Sequence, residues 1–216
     1  MHASKSASSG NLIAYEAIKK LIIEGDLPAG QPIRQVEIAN QLGLSKIPVR
    51  EALIRLESEG LIKLTPNVGA TVIVHTLDDY LEMLYIRQAL ECKALELAIP
   101  NMVQKDFDHA QQILSLYAQA TTQHQRSDYN LAFHQSLYAP CMQPQLLKMI
   151  EQVQNQMGHM LRHKISQLAG HARSLKEHQD ILTACQKGEV NKASQILSRH
   201  LEATQKELRA YFRYAD

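Results

Sequence analysis

No stretch of this sequence reaches the roughly 18 apolar residues that a membrane-crossing helix needs. The first residues, MHASKSASSGN, also lack the hydrophobic centre of a signal peptide, so a cytoplasmic protein is expected. Cysteine is scarce: Cys92, Cys141 and Cys185 are far apart, odd in number and in no metal-type pairing. That pattern excludes a disulfide scaffold or zinc finger and predicts buried, reduced thiols. Charge of one sign is lacking too, with 23 Lys and Arg against 22 Asp and Glu and a net charge of +1. The first 75 residues are no richer: eight bases (Lys5, Lys19, Lys20, Arg34, Lys46, Arg50, Arg55, Lys63) meet seven acids (Glu16, Glu24, Asp26, Glu37, Glu51, Glu57, Glu59). Bulk electrostatics therefore make no case for nucleic acid, and any such case rests on where the charges sit. Tryptophan is absent altogether, against ten histidines. What remains is ordinary: 45% hydrophobic residues in 216, enough for two modest domains with a core each.

Punctuation divides the chain near residues 75–78. Residues 1–10 are small and polar and read as a disordered terminus. Apolar residues at Ile13, Ala17, Leu21 and Ile22 then keep a helical period, broken by Gly25-Asp26-Leu27-Pro28-Ala29-Gly30. A short helix follows over about 35–42, with Gly43 placed as its left-handed C-terminal cap. Ser45 can cap a second helix whose inner stripe is Val49, Ala52, Leu53 and Leu56, with Pro48 in its first turn. Two β-like runs around Pro66-Asn67-Val68-Gly69 complete a hairpin. Beyond Thr76 helical periodicity dominates, and six helices are expected at about 78–98, 103–123, 127–140, 143–166, 169–187 and 189–213. The fold class is mostly α: an N-terminal winged helix-turn-helix over 11–75 and an all-helical bundle over 76–216.

Two helices joined by Gly43-Leu44-Ser45 form a helix-turn-helix, which presents the N-terminal residues of its second helix to the major groove. Those residues are Ser45, Lys46, Ile47, Pro48, Arg50 and Glu51. Lys46 and Arg50, at i and i+4, share one face. Arg50 suits bidentate contact with guanine, Lys46 suits phosphate or base, and the helix terminus at Ser45 suits phosphate. Taken alone, the pattern equally fits the solvated face of a small helical domain.

The segment EAIKKLIIEGDLPAG (Glu16–Gly30), followed by IRQVEIANQLGLSKIPVREALIRLESEGLIKLTPNVGATV (Ile33–Val72), resembles the N-terminal domain of GntR-type regulators, SKIPVREAL being its most specific piece. The resemblance implies DNA binding through Arg34, Ser45, Lys46, Ile47, Pro48, Arg50, Glu51, Arg55, Asn67 and Gly69. Lys46 stands where the family usually has Arg, and Val68 where the wing often carries one.

Among the histidines, His159 and His163 lie at i, i+4 and read as surface spacing more readily than as a metal pair. The informative set is Asn130, His134, His178 and His200, on three helices that read as inward-packing. Buried imidazoles are costly without hydrogen bonds or a ligand. On the residues alone, satisfied core histidines remain the favoured reading over a metal site. From Thr76 onward the chain resembles the FCD sensor domain found behind GntR-type DNA-binding domains, through YIRQALE (Tyr85–Glu91), NLAFH (Asn130–His134), Glu177-His178 and His200-Leu201. That resemblance implies a divalent metal, zinc or nickel, held by Asn130, His134, His178 and His200, and a homodimer. A neutral Asn130 amide is a poorer ligand than a carboxylate, but it keeps the ion's full charge available for an anionic effector such as a small carboxylate. Arg87 is offered as a second effector clamp or, equally, as an i, i+4 partner of Glu91. The expected function is a transcriptional regulator on operator DNA, not an enzyme. Alternatives are a metal-free ligand sensor and, more remotely, a metal-dependent hydrolase, for which HExxH and HD pairs are missing.

Overall fold

The computed structural model describes residues 3–157, 165–166 and 168–213, with side-chain environments from residue 10 onward. The chain folds as two compact units: the first runs to Thr76 and takes in a helix end from Asn155, and the second begins at Leu77.

The first unit runs α1 (Ala3–Glu24), β1 (Pro32–Ile33), α2 (Gln35–Leu42), α3 (Lys46–Ser58), β2 (Ile62–Thr65) and β3 (Gly69–Val72). Residues 3–10, expected to be disordered, continue α1 as helix. Gly43 takes the left-handed backbone, φ 64°, and its N–H closes α2 onto Ala39 and Asn40 carbonyls. Ser45 holds the extended backbone that starts α3, but its hydroxyl makes no capping bond. The expected stripe is the buried one: Val49, Leu53 and Leu56 are fully enclosed, packed with Ala14, Tyr15 and Ile18 of α1. Each such side chain contributes about 1.5–3 kcal/mol relative to exposure. The hairpin pairs Thr65 with Gly69 and Lys63 with Thr71. A third strand, absent from the sequence reading, joins on its other edge: β1 pairs with β3 antiparallel in the order β1-β3-β2. Pro32 is tolerated there because the strand is a two-residue edge.

The second unit contains α4 (Leu77–Ala98), α5 (Gln104–Gln119), α6 (Gln123–Tyr138), α7 (Pro144–Gln156), α8 (His171–Gln186) and α9 (Val190–Arg213). Single 3₁₀ turns at Ile99–Asn101 and Ala139–Cys141 carry the breaks at Pro100 and Pro140. One expected boundary moves. The break at Ser127 falls inside α6, which starts at Gln123 because Thr122 accepts from the Gln125 N–H while Gln125 reaches back to the cap. Helix α7 ends at Gln156, short of the expected 166, and His159 and His163 lie outside the described residues. Leu95, Leu114, Tyr117, Phe133, Leu137, Ile181, Leu182 and Leu197 form the core. The cysteines are all free; burial pushes the Cys92 thiol to about 11 and Cys185 to about 12, so both are inert thiols at neutral pH.

Candidate nucleic-acid interface and metal centre

Helix α3 buries one side, and its other side begins with Lys46, Ile47 and Arg50, all exposed. At about 100° per residue, Lys46 and Arg50 lie some 40° apart; Arg50 is some 100° from Val49, and Lys46 borders the buried stripe. Pro48 is half-buried within the first turn. The wing turns back through Asn67 (φ 62°) and Gly69 (φ 110°), which puts Val68 at its tip, 75% exposed. Gln35, Arg50, Ile54 and the wing residues Asn67, Val68 and Gly69 line one groove of about 640 Å³. The expected DNA-facing residues Arg50, Asn67 and Gly69 thus come together on one edge of the unit.

Others in the expected set are engaged elsewhere. Arg34 precedes α2 with its guanidinium 3.0 Å from Glu37. Glu51 accepts from the Asn11 amide of α1. Arg55 is turned from the Lys46 and Arg50 arc toward α1: its guanidinium lies 3.6 Å from the Tyr15 ring centroid and its Nε 3.4 Å from Glu59 Oε1. Tyr15 and Lys19 both donate to the Glu59 carboxylate, at 2.7 and 3.0 Å, so Arg55 joins a cluster that ties α3 to α1.

In the second unit, His134 of α6, His178 of α8 and His200 of α9 converge. All three are buried, and one ring nitrogen of each lies within 4.8 Å of the others'. Their hydrogen bonds determine which nitrogens carry protons. Tyr138 donates its hydroxyl proton to Glu91 Oε2 at 2.7 Å, so the His134 Nδ1, 3.0 Å from that hydroxyl, must be the donor of the pair. His134 Nε2 then keeps its lone pair, and it is buried with no hydrogen-bond partner. Glu177 is a carboxylate 2.6 Å from His200 Nδ1, so that nitrogen also donates. His178 has neither ring nitrogen hydrogen-bonded; it is held by the rings of Phe133 and Tyr117, at centroid distances of 4.7 and 5.3 Å. Burial, then the neighbouring His200, hold the His134 and His178 imidazoles well below their ordinary pKa, hence neutral.

Orphaned buried nitrogens normally cost roughly 1–3 kcal/mol each, and His134 and His178, which carry them, converge with His200 closely enough to share one late divalent ion. Carboxylate- or hydroxyl-anchored Nδ1–H groups with Nε2 turned inward are the outer shell such sites use. Asn130 is half-buried one turn before His134, on the same helical row. Arg87, offered as an effector clamp or as a partner of Glu91, is buried, with Nε 2.8 Å and Nη2 3.3 Å from the two Glu91 oxygens. Gln154 adds a donor to Glu91 Oε1 at 3.0 Å. The sequence reading missed Tyr138, Glu177 and Gln154 in this shell, and it saw Glu91 only as a partner of Arg87. The i, i+4 spacing of His134 and Tyr138 was the available signal.

A helix-turn-helix with a wing, beside a helical unit built around a buried donor cluster, defines a DNA-binding transcriptional regulator. Residues 12–72 match the family described as bacterial regulatory proteins, gntR family, and residues 82–203 match the FCD domain. The chain belongs to that family, in its FCD-bearing form. It is 30% identical over 206 residues to the Uxu operon regulator of Haemophilus influenzae, covering 87% of this chain and 77% of the relative. The solved structure of Escherichia coli McbR/YncC superposes with a TM-score of 0.78 at 27% identity, over 94% of this chain and 98% of that one. A putative GntR regulator from Rhodococcus sp. RHA1 shares the fold, with a TM-score of 0.75 at 20% identity over 94% and 98%. These relatives are regulators, not enzymes, which removes the hydrolase alternative. No helix among the described residues is long and apolar enough to cross a membrane.

Proposed function

We propose that this regulator acts in the cytoplasm as a homodimer on a pseudo-palindromic operator, with affinity set by a small carboxylate bound at a metal centre. The metal ligands are His134, His178 and His200, with Asn130 as the fourth. The observation that carries this reading is His178, whose two ring nitrogens are buried without a hydrogen-bond partner beside the equally orphaned His134 Nε2. A metal-free sensor would leave those groups unsatisfied. Zinc or nickel bound there supplies a positive centre with open coordination positions for an anion. The chain's own part is to hold the ligands neutral and oriented. Tyr138 with Glu91 fixes the His134 proton on Nδ1, Glu177 does the same for His200, and Phe133 with Tyr117 clamps His178 by packing. The +2 charge is left uncompensated by a neutral Asn130, which favours an anionic effector.

On the DNA side, Arg50 takes a guanine edge, Lys46 and the unbonded N–H groups behind Ser45 take phosphate, and Asn67 and Gly69 bring the wing to the backbone. Effector controls operator affinity by binding the DNA-competent and DNA-incompetent conformations unequally. The test is the metal content of untagged protein, followed by a thermal-shift screen of small carboxylates with and without zinc or nickel. Stoichiometric metal and a carboxylate shift that needs it support the reading. Protein that takes up neither ion, yet responds to carboxylates, establishes the metal-free sensor instead.

A further inference from the structure

Ile47 has no part in an electrostatic account of α3, yet it is the most exposed large apolar side chain of that helix. It is the second residue of α3 and 70% exposed, while Val49, Leu53 and Leu56 of the same helix are fully buried. At about 100° per residue it projects some 60° from Arg50 and some 160° from Val49, so it lies on the Arg50 side of the helix and outside the core stripe. Ile54, 51% exposed, lies two turns further along almost the same line. An apolar strip therefore runs beside the Lys46 and Arg50 strip. The major groove presents one methyl group to such a side chain, the C5-methyl of thymine; guanine, adenine and cytosine carry none.

We infer that Ile47 is a specificity-determining residue that packs on a thymine methyl, adding an apolar readout beside the guanine contact of Arg50. The inference rests on α3 being the reading helix. It further implies that 5-methylcytosine at that position would satisfy the contact, since it carries its methyl at the same ring atom.

The experiment starts with selection of bound duplexes from a random-sequence library by the full-length protein. Each thymine of the selected duplex is then replaced singly by deoxyuridine, which removes the methyl and nothing else. The expected result is one position, with its symmetry mate, at which the loss weakens wild-type binding about fourfold per methyl. Ile47→Ala should weaken binding to the thymine duplex by a similar factor and ignore uracil at that position alone. Wild-type binding within twofold for every uracil duplex overturns the inference without any variant. So does an Ile47→Ala protein that keeps the full uracil penalty, because another group then reads the methyl. A library with no enriched sequence overturns the DNA reading of α3 itself, a distinct failure.

Discussion

Tyr138→Phe removes a single oxygen from the second unit, and the structure assigns that oxygen two bonds. It accepts from His134 Nδ1 at 3.0 Å and donates to Glu91 Oε2 at 2.7 Å, in a side chain 1% exposed. Without it, Glu91 still receives Arg87 and Gln154. The His134 Nδ1–H, however, loses its acceptor in a side chain that is buried. The metal-free protein should therefore lose about 1–3 kcal/mol, the usual cost of an orphaned buried donor. The imidazole can also move its proton to Nε2, and in that tautomer the inward nitrogen has no lone pair for an ion. Zinc affinity should fall by about 10- to 100-fold, the range for loss of an outer-shell partner, or about 1.4–2.7 kcal/mol. The two effects are read separately, the first by thermal melts of chelator-stripped protein, the second by competition with a chromogenic zinc chelator near pH 7.5. A variant whose melting temperature falls but whose zinc affinity stays within twofold of wild type refutes the outer-shell assignment and leaves Tyr138 as a core residue only.

Replacing Arg50 with Ala should weaken operator binding by about 1–3 kcal/mol in fluorescence anisotropy, and unchanged affinity removes it from the reading set. Val68→Arg, at a wing tip 75% exposed, should raise DNA affinity and steepen the log K against log salt slope by about 0.9 for the one phosphate gained. An unchanged slope would place the wing tip away from DNA. Glu59→Gln tests the cluster between α1 and α3. Desolvation raises the Glu59 pKa, but hydrogen bonds from Tyr15 and Lys19, aided by the Lys19 and Arg55 charges, outweigh it and hold the carboxyl below its ordinary 4.5. A depressed carboxyl pKa contributes stability in full above the ordinary value and loses it as pH falls through the folded value. The variant should thus be about 1–2 kcal/mol less stable at pH 7, with the gap closing in chemical denaturation below pH 4.5. A gap that persists in acid means packing, not charge.

The periodic parts of the fold were legible in the sequence because the period is itself the packing. The stripe Val49, Leu53, Leu56 is buried as spaced, and Gly43 caps α2 where a left-handed residue was needed. Strand β1 was not legible, since two residues that include Pro32 carry no alternation and gain their pairing only from β3, far along the chain. Residues 3–10 misled in the opposite sense: small polar residues suggest disorder, yet the helix from Ala3 runs through them. In the second unit the convergence of His134, His178 and His200 followed from three inward helices. Their outer shell did not follow, because Tyr138 meets Glu91 across 47 residues and nothing local ties them. Arg87 shows the same limit. One sequence spacing served both an effector clamp and an ion pair, and the pair with Glu91 is seen only in the fold.

Near-neutrality of the first unit stops being an objection once each acid is followed to its contact. Glu59 is held by Tyr15 and Lys19, Glu51 accepts from Asn11, Glu37 pairs with Arg34, and Glu57 accepts from the Leu64 backbone N–H. With Glu24, which pairs with Lys20, five of the seven acids counted in the first 75 residues are thereby drawn to partners of their own unit. Four of the eight bases are engaged in turn, Lys19 and Arg55 by Glu59, Arg34 by Glu37 and Lys20 by Glu24. Lys46 and Arg50 take part in no ion pair recorded among the described residues, and both stand exposed at the head of α3. A field of two neighbouring cations falls off within about 10 Å at 0.1 M salt, too short to attract DNA at a distance. It is ample at contact, where bidentate base reading and an apolar neighbour such as Ile47 act. Affinity in this regulator should therefore depend less on salt than in a strongly basic reader, and sequence discrimination should account for a correspondingly larger share of its binding free energy.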